Sequence, residues 1–236
     1  MLIMQSRLNQ SPVDQPVRSA AMLQPELEPR LDQAEAERFV ASALRNTVNA
    51  ELLRRLPRIG LPDCWLVAGC LFQAVWNETA GRAADAGVKD YDIFYFDEDD
   101  LSYEAEDLAI ARVRSALADL NIAFDVKNQA RVHLWYEQRF GNPYPQLMCA
   151  QDGIDRFLVA GTCIGLSPHS DGTADLYAPY GLGDSFDGIL RASPLTIEPS
   201  AFLAKAENYR ARWPHLKIDQ TAAAMPLRTR QTRIPL

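Results

Sequence analysis

The stretch that most limits how this chain can fold is Lys89-Asp90-Tyr91-Asp92-Ile93-Phe94-Tyr95-Phe96-Asp97, where two carboxylates stand one residue apart at the head of an apolar run. Aromatic and β-branched residues at this density predict a strand, and side chains two apart in a strand share a face. Asp90 and Asp92 therefore project together, with Tyr91 between them on the other face. Like charges at the end of a buried strand repel each other and are costly to desolvate. A divalent cation relieves both problems. Mg²⁺ (or Mn²⁺) suits the pair, because it takes carboxylate and phosphate oxygens and keeps part of its water. Two such ions about 3.5–4 Å apart can activate a nucleophile and neutralise a leaving phosphate.

Two neighbouring segments extend this pattern. In Ala123-Phe124-Asp125-Val126-Lys127, a lone acid stands between apolar residues on the next expected strand, 122–126, so Asp125 can join the pair on the polar face. Upstream, Cys64-Trp65-Leu66-Val67-Ala68-Gly69 reads as strand then turn, and 70–81 as a helix ending near Gly81. Gly69 at a strand-to-helix turn lets backbone approach a ligand, and the helix N-terminus behind it favours an anion. Asp97 lies an odd number of residues from the pair, so it belongs to the acidic turn 97–100.

The rest of the chain predicts a mixed α/β fold. Residues 33–57 carry apolar residues at helical spacing, with a break near 46–49; 102–120 and 199–214 are further helices, and 182–191 contains a short one. Residues 131–136 predict a strand and 150–161 a helix. The segments around His169-Ser170-Asp171-Gly172 predict paired strands. Residues 1–30, with four prolines, are expected to form a loosely ordered arm, 31–215 the domain (core about 45–140, C-terminal part about 140–215), and 216–236 a frayed tail.

Net charge of −7 argues against general nucleic-acid binding but not against a local basic pocket for a small anion. Four cysteines without C-x-x-C spacing, and three histidines without a zinc pattern, predict reduced thiols in a cytoplasmic protein. No apolar stretch predicts a secretory leader or a membrane span.

A Gly at a helix start, then acid-x-acid, then a third acid between apolar residues, resembles the nucleotidyltransferase superfamily typified by DNA polymerase beta. The segments LPDCWLVAGCLFQAVWN, KDYDIFYFD, VKNQARVHLWY and APYGLGDSFDGILR are similar to a bacterial family of nucleotidyltransferase-like proteins of unassigned substrate, over roughly 45–215. The resemblance implies a nucleotidyltransferase-type mixed sheet with helices on one face and a C-terminal extension completing the cleft. It places Gly69-Cys70 at the phosphate turn, where Cys70 departs from the usual Gly or Ser. Asp90 and Asp92 would bind metal and nucleotide phosphates, and Asp125 would ligate a second metal or act as general base. The implied reaction moves a nucleoside monophosphate from a nucleoside triphosphate to a small-molecule or protein hydroxyl. A non-catalytic binding module on the same fold and a D-x-D glycosyltransferase are the alternatives.

Several residues keep two readings. Lys89 is a phosphate contact or an exposed flanking lysine, and Arg131 and His133 hold a phosphate, orient an acceptor or, with Asn128, brace the sheet edge. Trp76, Trp135 and Tyr136 stack on a base or pack the core, and the Gly- and Pro-rich loop 178–184 is a cleft wall or a structural turn.

Overall fold

Strand β1 (Trp65–Val67) lies between β2 (Tyr91–Tyr95) and β4 (Gly165–Pro168), antiparallel to both, while β2 runs parallel to β3 (Phe124–Asn128). The structure is a computed structural model that describes residues 30–236 except 197, 222, 225, 228 and 229. Beyond β4 the sheet continues antiparallel through β5 (Thr173–Tyr177) to β8 (Gln231–Pro235), in the order β3-β2-β1-β4-β5-β8. This is the mixed α/β sheet that the sequence predicts. Residues 1–29 of the expected arm lie outside the described residues.

Strand parity decides the layers. Leu66, Ile93, Val126, Leu166 and Leu176 point to one face and join the main core. Four helices supply most of the rest of that layer: α1 (Gln33–Leu44), α2 (Thr47–Ile59), α3 (Gly69–Thr79) and α4 (Tyr103–Ala116). The expected break between the first two is real, since Asn46 caps α2 by accepting from Val48 N–H. On the opposite face Trp65, Val67 and Tyr177 form a smaller apolar layer with Ala150 and Ile154 of α6 (Ala150–Ile154). Gly165 permits this packing, because a Cβ there would meet Ile154 Cδ1 at 2.7 Å.

Three expectations need correction. Residues 131–136 are not a strand. Asn128 accepts from Ala130 N–H and starts a short turn that runs into α5 (Val132–Phe140), which ends at the left-handed Gly141. The helix expected over 150–161 stops at Ile154; the following turn instead carries Arg156 and Phe157 toward the open side of the sheet. The tail from Gln220 is not simply frayed. Its end forms β8, paired with β5 from Thr173↔Pro235 to Tyr177↔Gln231, and Arg233 Nε donates to Asp175 at 3.0 Å. Local propensity did not reveal this strand, because its partner lies about sixty residues away in sequence.

The C-terminal part also supplies α7 (Gly183–Asp187), a two-residue parallel pair of β6 (Ile189–Leu190) with β7 (Lys217–Ile218), and α8 (Pro199–Arg212). An aromatic cluster fixes α8 against α3: Tyr209 meets Phe72 and Trp76 with ring centroids 5.7 and 5.1 Å apart, and Trp213 Nε1 donates to Asn77 at 2.8 Å. Trp76 is thus a core residue.

If β8 belongs to the core, Ile234→Ala will lower stability by about 2–4 kcal/mol in urea denaturation. A loss below about 0.5 kcal/mol, the usual surface value, would return this segment to the status of a tail.

Candidate active site

The register of β2 places the acids. Asp92 is opposite Val67 on β1 and opposite Asp125 on β3, so both carboxylates project from the face away from the four-helix layer. Tyr91, Ile93 and Tyr95 are buried on the other side, as the alternation of the segment predicts. Asp90 precedes the strand and is exposed, as is Lys89. Asp125 is also exposed and pairs with Lys127, two residues on along the same face, with Nζ 3.0 Å from its carboxylate. Among the described residues, no three His, Cys, Asp or Glu side chains come close enough to cage a metal by themselves.

Asp92 is half-buried with unfavourable company. Burial first, then the charges of Asp90 and Asp125, push its carboxyl up to about 7, against smaller opposing pulls from Lys205 and Lys127. The protein therefore holds an uncompensated hard-oxygen site. Such a donor set fits Mg²⁺, which needs only one or two carboxylates when substrate phosphates and water fill the other positions.

A cavity of about 500 Å³ opens in front of Asp92. The start of α3 forms one side through Ala68 and Phe72, and α8 supplies Lys205 and Tyr209. Lys205, Tyr209 and Arg212 share a helical face, and Arg212 donates to Gln73 Oε1 at 3.1 Å and to the Gly87 carbonyl. Aromatic residues line the far side, among them Phe94, Tyr136, Tyr144 and Phe157, with Arg156 between them.

The turn into α3 differs in detail from its expected form. The left-handed residue is Ala68, with φ 63° and ψ −138°, one position before Gly69. Gly69 answers a different constraint: a Cβ there would lie 2.5 Å from Gln73 Nε2, and Arg212 holds that amide. Strain stored in a non-glycine residue at a cavity-facing turn marks a backbone fixed by its surroundings.

Three side chains expected near the ligand do other work, and a fourth lies off the cavity. Cys70 is fully buried, its thiol directed at the Val67 carbonyl, and burial raises its pKa well above the ordinary thiol range. Arg131 is buried in an ion pair with Glu106 and donates to the Leu101 carbonyl at 2.8 Å. Asn128 ties the end of β2 to β3, accepting from Asp97 N–H and donating to the Asp97 carbonyl. His133 sits half-buried on α5 and is not part of the cavity lining. Lys205, Tyr209 and Arg156, by contrast, carried no signal in the sequence. The K-x3-Y-x2-R spacing in 205–212 places three side chains on one helix face, but only the tertiary fold sets that face beside the acids.

Two measurements test this geometry. A carboxyl with a raised folded-state pKa adds its full share of stability below its unfolded value and loses it as pH rises through the folded one, here between about 4 and 7. Asp92→Asn removes that loss. It is expected to be more stable than the parent by about 1–2 kcal/mol at pH 8, after allowance for solvent screening, with the gain gone at pH 4. Equal differences at the two pH values would show that Asp92 does not titrate in this window. Ala68→Gly is expected to raise stability by up to about 1 kcal/mol by relieving the positive φ, whereas a loss would mean that the turn is unstrained.

Comparison with known proteins agrees with the fold. No curated protein matches the chain in sequence. A solved NMR structure described as a CCA-adding enzyme head domain matches with a TM-score of 0.57 and 24% identity, over 72% of this chain and 89% of that one. At that identity the likeness establishes the fold. Among the described residues, no helix is long and apolar enough to cross a membrane. A family model described as Nucleotidyltransferase matches residues 54–218, more than half of the chain and inclusive of the α3 turn, all three acids and α8, and the chain belongs to that nucleotidyltransferase family.

Proposed function

We propose that the protein transfers a nucleoside monophosphate from a nucleoside triphosphate to a hydroxyl of a small molecule or protein, with Mg²⁺ as the resident ion and Mn²⁺ as a substitute. The observation that carries this reading is the in-register pair Asp92 and Asp125 on adjacent parallel strands, one at the mouth of a cavity that also holds Lys205 and the start of α3. Asp90 and Asp92 would hold the ion together with phosphate oxygens of the nucleotide, and the ion would neutralise charge that builds on the leaving pyrophosphate.

The chain's own groups supply the rest. Lys205 and the free N–H groups at the start of α3 bind phosphate oxygens. Exposed Asp125 accepts the proton of the incoming hydroxyl as its oxygen attacks the α-phosphorus. The bond from that phosphorus to the bridging oxygen breaks, and pyrophosphate departs. Lys127, ion-paired to Asp125, orients its carboxylate until the acceptor arrives. A module that binds nucleotide without transferring it is the second reading. The Lys127–Asp125 ion pair favours it, because it gives the would-be base a resident cation.

Melting curves with Mg²⁺ and nucleoside triphosphate test the first step. At a ligand concentration about a hundredfold above Kd, the parent should gain about 2.7 kcal/mol, and Asp92→Asn should fold but lose most of that gain. An equal gain in both proteins would remove Asp92 from the ion site. Asp125→Asn separates the two readings: if transfer occurs, it should keep the melting gain and lose on the order of a hundredfold or more in pyrophosphate release.

A further inference from the structure

The cavity does not end at the acids. Phe94 lies two residues beyond Asp92 on the same strand face, and Phe157 packs against it with ring centroids 5.7 Å apart. Tyr136 and Tyr144 continue the wall, with rings 4.3 Å apart. Over the Tyr144 ring, 5.3 Å from its centroid, stands the Arg156 guanidinium. Its Nε is buried and has no hydrogen-bond partner among the described residues. Nε itself is too deep to meet a ligand, so the two terminal nitrogens are what this side chain offers to the cavity it lines, and no ion pair to them forms among the described residues.

We propose that this end of the cavity is the nucleobase site, that its aromatic wall stacks the base, and that Arg156 selects guanine or cytosine over adenine and uracil. The inference rests on the nucleotidyl-transfer reading, which puts the phosphates at Asp92 and Lys205; the base, tethered to them, then has to lie within one nucleotide's reach. The acceptor has another way in. Asp125 is exposed on the edge strand β3 and lines no part of this cavity.

Selection follows from donor and acceptor patterns. Arginine offers a rigid fork of parallel N–H donors and no acceptor. A fork needs two adjacent acceptors. Guanine has O6 beside N7, and cytosine has O2 beside N3. Adenine sets an amino donor beside both N1 and N7, and the O2 and O4 of uracil are separated by an N–H. Stacking on the rings tolerates any base, so the wall supplies affinity and the arginine supplies preference.

The experiment titrates the full-length protein in Mg²⁺ with GTP, CTP, ATP, UTP and inorganic tripolyphosphate, following the melting temperature and binding heat. GTP or CTP is expected to bind at least about tenfold tighter than both ATP and UTP. Arg156→Lys keeps the charge but loses the fork, and Arg156→Ala loses both; each should flatten the preference yet still bind tripolyphosphate. If all four nucleotides bind the parent equally, or ATP or UTP binds best, the base site is overturned while the transfer reading stands. Full preference retained in Arg156→Lys also overturns it. If neither tripolyphosphate nor any nucleotide binds the parent, the transfer reading itself falls, and the base site with it.

Discussion

Asp92 carries a charge that the protein does not neutralise from within. It lies between an apolar strand residue, Val67, and another carboxylate, Asp125, with Asp90 close by, and no ion pair to it forms among the described residues. A fold would ordinarily avoid this, because a half-buried carboxyl with acidic neighbours lowers stability at neutral pH. Much of the surrounding architecture makes the arrangement tolerable. Ile93 and its neighbours hold β2 in the main core, so the acids stay in place with Asp92 only half-buried and Asp90 and Asp125 exposed. Lys127 balances Asp125, and Lys205 approaches from α8. What remains is a site that a cation and an anion arriving together would relieve, as the proposed metal-bound triphosphate would.

The acids were legible in the sequence because they depend on local rules. Strand alternation gave the shared face of Asp92 and Asp125 from a handful of residues, and the parallel register then put them side by side. The helices α1 to α4 and α8, and the β4–β5 pair, were legible for the same reason: spacing, caps and turn residues lie within each segment. Failures came where distant partners decided the outcome. The 131–136 segment has strand-like composition, but the Asn128 cap and the Arg131–Glu106 ion pair turn it into a helix. Strand β8 exists because β5 offers it an edge.

The site residues divide along the same line. Arg131 and Asn128 sit near the acids in sequence and were therefore natural candidates for ligand contact, yet both serve to join β3 to the segment after β2. Cys70 follows the turn glycine but faces inward, since the first turn of α3 presents Ala68 and Phe72 to the cavity. Apart from Phe72 and Phe94, the cationic and aromatic side chains of the cavity come from residues 136–157 and 205–209, and of these only Tyr136 was a candidate in the sequence. Arg156 reaches the cavity only because α6 ends at Ile154, and Lys205 only because Trp213 and Tyr209 fasten α8 to α3.

Charge distribution joins these details to the kind of ligand the fold can accept. With a net charge of −7, the molecule repels long polyanions at a distance, and that repulsion grows with the number of phosphates presented to it. A single triphosphate meets a different field. On the proposed reading it would carry its own divalent ion into the cavity that Lys205 and the start of α3 line, and that metal would meet the carboxylates that free phosphate would avoid. On that reading the three acids would act as a filter as well as a ligand: an anion without its metal would be opposed by Asp90, Asp92 and Asp125, whereas the metal-bound form would convert the same three charges into attraction. A strand that fixes two acids at the mouth of an apolar core, with the cations held on a separate helix, is the simplest arrangement that makes binding depend on both partners at once.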